Sequence, residues 1–163
     1  AYAFDEGKSN WADEYKELKE LLTESEYKSA RESVLNAHYT QPVIIKSMYK
    51  ALEQMGFKNG NVLEPAMGVG NFFGAMPESL RDSKLYGVEL DSISGRIAKQ
   101  LYPDADIRIT GYETSGYPDD FFDVAIGNVP FGNYQVYDRR YEQHHFLIHD
   151  YFLAKTLDRK SVV

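Results

Sequence analysis

The sequence predicts an α/β fold: a doubly wound parallel sheet, incomplete at four strands, with a helical extension at its N-terminus. Three observations predict it. Short apolar runs alternate with stretches of helical period, the pattern of successive β–α–β units. The first run, Asn61-Val62-Leu63-Glu64, leads straight into a glycine turn, Pro65 to Gly70, and then a helix. The second run, Lys84 to Glu89, again ends in a carboxylate, 25 residues after Glu64.

Composition narrows the chemistry. The chain has 163 residues, 43% hydrophobic and 26% charged, enough to bury a core in one domain or slightly more. Its net charge of −7 makes it a poor stand-alone grip for phosphate backbones. With no cysteine it forms no disulfide, cysteine zinc site or cysteine-held iron–sulfur cluster, and it has no thiol nucleophile. No apolar run approaches the roughly 20 residues of a membrane span. The N-terminus lacks a basic-then-apolar signal pattern. A cytoplasmic location and no membrane association are expected.

Residues 1–35 read as the helical extension. Trp11, Tyr15, Leu18 and Leu22 recur at helical spacing, with Asn10 as the expected N-cap, and Glu26 to Arg31 reads as a polar link. The sheet domain is expected over residues 36–163. Ala37 to Pro42 opens a helix, capped by Thr40 with Pro42 in its first turn; its apolar face is Val43, Ile44, Met48, Ala51, Leu52 and Met55. A short helix after the glycine turn must end near Pro77. Asp91 or Ser92 caps a helix to about Tyr102, with Ile93, Ile97, Ala98 and Leu101 inward. Strand three is Asp106 to Ile109 and strand four Phe121 to Gly127. A helix is expected from about Glu142 to Leu157, and a fifth strand is expected to begin over residues 160–163.

Two stretches carry chemistry. Gly68-Val69-Gly70 lets the backbone turn tightly and approach a ligand. Position 73 is Phe73, so the G-x-G-x-x-G fingerprint of a dinucleotide site is not met. Glu89, ending strand two, can accept both hydroxyls of a ribose. Glu64 beside the turn can hold an ammonium. The second stretch is Asn128-Val129-Pro130-Phe131. In a doubly wound sheet strand four lies beside strand one, which brings Asn128 to the same crevice. An Asn carbonyl and the Val129 carbonyl can accept hydrogen bonds from an exocyclic amine. Pro130 stiffens the loop, and Phe131 offers a flat face for a planar base.

This order of motifs resembles the class I S-adenosylmethionine-dependent N6-adenine DNA methyltransferases, with their Rossmann-like fold. It is Tyr39-Thr40 before a helix, Glu64-Pro65-Ala66-Met67-Gly68-Val69-Gly70-Asn71-Phe72, Glu89, then Asn128-Val129-Pro130-Phe131. It is similar to type I modification subunits of restriction-modification systems, and to methylase domains in large helicase-like proteins of phages and conjugative elements. The likeness spans about Asn36 to Leu157. It implies S-adenosylmethionine as cofactor, contacted by Tyr39, Thr40, Glu64, Pro65, Ala66, Gly68, Gly70, Asn71 and Phe72. Glu89 would hold the ribose and Glu113 the cofactor adenine. Asn128, Val129, Pro130 and Phe131 would bind the target adenine for direct displacement. Val129 departs from the family's usual Pro; its carbonyl survives. The resemblance also implies strands five to seven and a target-recognition domain that this chain lacks. DNA binding through regions outside it, and self-association at an open sheet edge, are therefore expected.

Two other readings stay open at this point. One is methyl transfer to an RNA base or a protein glutamine; the other is a non-catalytic binding module of a larger helicase-like protein. His144, His145 and His149 read as solvated or core-edge residues, since no H-E-x-x-H pattern is present, and no metal is expected. Asp119, Asp120 and Asp123 read as loop solvation. Tyr134, Tyr137 and Tyr141 read as loop packing.

Overall fold

A computed structural model describes residues 2–36 and 39–160, without the side chains of residues 2 and 32–36. Four strands, β1 (Asn61–Glu64), β2 (Lys84–Glu89), β3 (Asp106–Ile109) and β4 (Val124–Ala125), form one sheet in the order β3-β2-β1-β4. All pairings are parallel, with Leu63 opposite both Tyr86 and Ala125. β4 is short, but bonds from Asp123 N to Asn61 O and from Ile126 N to Leu63 O continue the pairing at both ends. The chain runs outward through β2 and β3, then returns to lay β4 on the other side of β1. The crevice at such a reversal opens beyond the carboxyl ends of β1 and β4.

The described residues form six helices: α1 (Ala12–Leu21), α2 (Glu24–Asn36), α3 (Pro42–Gln54), α4 (Asn71–Gly74), α5 (Ser92–Leu101) and α6 (Ile148–Arg159). Side chains alternate along a strand, so neighbours serve opposite layers. Val62, Val124 and Ile126 meet Ile45 and Tyr49 of α3 and Phe72 of α4. On the same face, Ala98 of α5 packs with Met67, Phe73 and Ile107. Leu63 and Val88 face the other way, onto Ile148, Tyr151 and Phe152 of α6 and onto Tyr112, Tyr117 and Phe122. The doubly wound sheet read from the sequence is thus found.

Several element boundaries differ from expectation. Residues 24–36 form α2 rather than a link, because Thr23 and Glu26 make a reciprocal capping box: Thr23 N donates to Glu26 Oε2, and Glu26 N to Thr23 Oγ1. Asn10 lies in a short 3₁₀ turn and does not cap α1; Trp11 takes that place without a side-chain bond. Thr40 does not cap α3 either, since Gln41 is the N-cap; Pro42 holds the first turn as expected. Asp91 caps α5, accepting from Ile93 N and Ser94 N. The last helix starts at Ile148, not Glu142, because His145 adopts a left-handed φ of 50° and breaks the helical run.

Two helix faces were also misjudged. Val43, Ile44, Met48 and Met55 of the α3 region are exposed, and Ile45 and Tyr49 are its buried pair. Ile97 and Leu101 of α5 are exposed as well. Beyond α6, Lys160 pairs in parallel with Phe122, and both Phe121 N and Phe122 N donate to Arg159 O. The chain therefore leaves α6 along the open side of β4, where a fifth strand was expected. Residues 161–163 of that strand, and Ala37 and His38 before α3, lie outside the described residues.

Candidate functional site

The glycine turn has two sides. Gly68 has φ 55°, and a Cβ built on it meets nothing within 4 Å. Gly70 has φ 85°, and a Cβ there would run into the ring of Tyr102. The Tyr102 hydroxyl donates to the Gly70 carbonyl at 2.8 Å. Gly68 thus faces open space, and Gly70 faces a side chain that braces the turn.

Glu89 fastens the open side. Gly68 N donates to its Oε2 at 2.6 Å, and Asp91 N to its Oε1 at 2.7 Å. Burial pushes its carboxyl up from the usual range, with these amide bonds opposing the shift. One carboxylate therefore ties the turn after β1 to the end of β2.

Glu64 is buried at 2% exposure, and its Oε2 has no hydrogen-bond partner among the described residues. Burial first, and then the charge of Glu89, hold its carboxyl well above the usual value of 4.5. A raised acid in the folded state makes stability fall as pH climbs from the unfolded pKa toward the folded one, since the native protein binds the extra proton there. Glu64→Gln removes that penalty. The variant is expected to melt at a higher temperature than the parent at neutral pH. The gain should shrink toward pH 4.5, and thermal melts across pH 4.5 to 8 would read it. Equal melting points throughout would contradict the buried, unpaired acid.

The second stretch meets the first at Gly127. A Cβ on Gly127 would lie 3.5 Å from Glu64 Cγ and 3.5 Å from Pro65 Cδ, so the bare backbone leaving β4 rests on the end of β1. Asn128 comes next, exposed, and Val129 is half-buried against the α6 side of the core. Phe131 is 71% exposed and stacks on His149, with centroids 5.8 Å apart and planes at 28°. His149 sits in the first turn of α6, and its Nδ1 is buried without a partner among the described residues. Among those residues no three His, Asp or Glu side chains gather as a metal site. Tyr134 and Tyr137, expected to pack the loop, are exposed instead; Tyr141 is buried, bonded through its hydroxyl to Asp158. Asp123 receives Asn61 N at 2.7 Å, and Asp119 pairs with Arg140 and Arg159, so both acids serve structure.

The remaining expected cofactor residues divide. Tyr39, Thr40 and Asn71 line one cavity of about 560 Å3 together with Tyr102 and Lys46. Phe72 does not enter it: its ring is 4% exposed inside the core, and its carbonyl accepts from Tyr49. Glu113 lies in the 3₁₀ turn after β3 with its carboxylate folded against Gly111. A separate cavity of about 460 Å3 lies between the end of α5 and the start of β3, at the opposite ends of the strands from the crevice.

Sequence reasoning missed Tyr102 and a buried cluster at Lys155, and read His149 as a solvated or core-edge residue without its stack on Phe131. No pattern marked Tyr102, because the sequence does not show that the end of α5 reaches the glycine turn. Lys155 did carry a signal, as a lysine on the same helical face as Ile148, Tyr151 and Phe152.

No protein-family profile matches the chain. Over 130 residues it is 31% identical to the defense against restriction protein B of Escherichia phage P1, a match covering 77% of this chain but 6% of that protein. Among solved structures, an S-adenosyl-L-methionine-dependent methyltransferase from Methanococcus maripaludis aligns with a TM-score of 0.53 at 11% identity, over 74% of this chain and half of that one. The chain therefore shares with that methyltransferase a Rossmann-like parallel α/β sheet.

Proposed function

We propose that this chain is the cofactor-binding part of an N6-adenine DNA methyltransferase, with S-adenosylmethionine as methyl donor. The observation that supports the proposal is the close seat of Gly127, the residue before Asn128, on Glu64 and Pro65 at the end of β1. The role in the phage relative's name, defense against restriction, supports a DNA-modifying context.

The residues fit the cofactor. The buried, unpartnered oxygen of Glu64 suits a ligand that brings positive charge, which would draw its carboxyl back down and leave it ionised. Glu89 has lone pairs left for ribose hydroxyls after accepting its two amides. Gly68 leaves room for close approach. S-adenosylmethionine supplies a methyl group activated on a sulfonium, open to attack by an amine with the thioether as leaving group. On the protein side, the Asn128 side-chain oxygen and the Val129 carbonyl would accept the amine hydrogens and orient the amine, and the proton released on methylation of the nitrogen would pass to solvent. Phe131 stacks on the base and fixes its plane. Positioning and electrostatics supply the rate, and no covalent enzyme intermediate is needed.

Transfer of a labelled methyl group from S-adenosylmethionine tests the reading directly. Label is expected in DNA, recovered as N6-methyladenine, and not in RNA or protein. Label in RNA or in protein glutamine would move the reading to those substrates. No label in any acceptor, despite cofactor binding, would favour a non-catalytic module.

A further inference from the structure

We infer that Lys155 is a positioning residue: it ties the loop that carries Asn128–Phe131 to the segment after β3, and so fixes the two walls of the crevice relative to each other. Lys155 is 2% exposed on the inner face of α6. Its ammonium has three donors and uses all three. Nζ donates to Asp138 Oδ2 at 2.7 Å, to Tyr151 Oη at 3.0 Å and to the Glu113 carbonyl at 3.1 Å. Tyr151 in turn donates to the same Asp138 oxygen at 2.7 Å.

The three acceptors come from different parts of the chain. Asp138 lies in the loop between β4 and α6, ten residues after Asn128; Tyr151 is one turn back on α6; Glu113 is in the turn after β3. β3 and β4 are the outermost strands of the four, with β2 and β1 between them. No ladder bond therefore joins the segment beyond β3 to the segment beyond β4, and the ammonium bridges them. The exposed Arg140–Asp119 pair joins the same two segments farther out, where water and salt weaken it.

Stability alone does not explain a lysine here. Burial pulls its ammonium below the usual lysine range, with Asp138 opposing. An apolar side chain of similar length would pack the same face without that penalty, and buried ion pairs are best attested as devices that fix position. Asp138 is correspondingly held below the usual carboxylate range by Lys155 and Tyr151, against the effect of burial.

The link is structural, but its meaning for transfer rests on the function proposed above, so the test keeps them apart. Amide hydrogen exchange is measured segment by segment in the parent, Lys155→Met and Asp138→Asn. Exchange in residues 110–115 and 128–138 is expected to rise together, about tenfold or more, while β1 and α5 keep their protection. Asp138→Asn retains an acceptor and decides the matter if Lys155→Met does not fold. A response in one segment alone, in neither, or uniformly across the sheet would overturn the inference. In the methyl-transfer assay, kcat should fall about tenfold to a hundredfold, with KM for S-adenosylmethionine nearly unchanged. A loss that merely tracks the folded fraction would reduce Lys155 to a packing role. An inactive parent that still binds S-adenosylhomocysteine would count against transfer by this chain and leave the exchange result to judge the link.

Discussion

Replacing Asn128 with alanine is expected to lower methyl transfer by about a hundredfold to a thousandfold, the usual effect of deleting one preorganised hydrogen-bonding group at a reacting centre. The side chain is exposed at the exit of β4, and the backbone before it is seated by Gly127 on Glu64 and Pro65. Its loss should therefore leave the sheet intact, with a change in folding stability of about 1 kcal/mol or less. Titration with S-adenosylhomocysteine should give the same affinity as the parent, because the role proposed for the residue is toward the amine and not the cofactor. Single-turnover transfer to an adenine-containing oligonucleotide reads the rate. Transfer at the parental rate would remove Asn128 from the reaction and would sink the proposal with it.

Gly70→Ala should act on folding instead. The position has φ 85°, where an L-residue is strained by about 1–2 kcal/mol. The added methyl would also collide with the Tyr102 ring and disturb its bond to the Gly70 carbonyl. Overpacking of this kind adds about 1–3 kcal/mol. A total of about 2–5 kcal/mol corresponds to a fall of roughly 4–20 °C in Tm for a chain of this length. Gly68→Ala is the control. It carries a similar backbone strain but meets open space, so it should be the milder change in a melt and the more damaging one in a cofactor titration. Equal melting points for the two variants would mean that Tyr102 does not brace the turn.

The contrast between these glycines shows what the sequence conveyed and what it withheld. G-x-G after an apolar strand announced a tight turn, because only residues without Cβ take those φ values freely. Which glycine faces a ligand depends on what lies opposite, and Tyr102 arrives from 32 residues away. β1 and β2 were readable as short apolar runs ending in acids, and their parallel pairing came from the helices between them. Asp91 was readable as a cap, and the Thr23–Glu26 box could have been, since Thr-x-x-Glu is a local signature. The start of α6 was not, because nothing about His145 by itself demands a left-handed backbone. Apolar periodicity also overstated burial on α3 and α5: it identifies a face able to be covered, not whether the chain covers it. Val43, Ile44, Ile97 and Leu101 remain in solvent for that reason. Lys155 shares a helical face with Ile148, Tyr151 and Phe152, but its three partners are set by tertiary folding alone.

The two amides held by Glu89 restrict what this position can become. Each carboxylate oxygen sits opposite an N–H, one from Gly68 and one from Asp91. A glutamine of the same shape would have to point its own NH2 at one of those donors, turning an attraction into a repulsion. An aspartate, one methylene shorter, would draw its oxygens away from one loop or the other. Exchanges that look mild on a substitution table are therefore barred here by the direction of hydrogen bonds, and any drift in sequence at the end of β2 must first release the glycine turn.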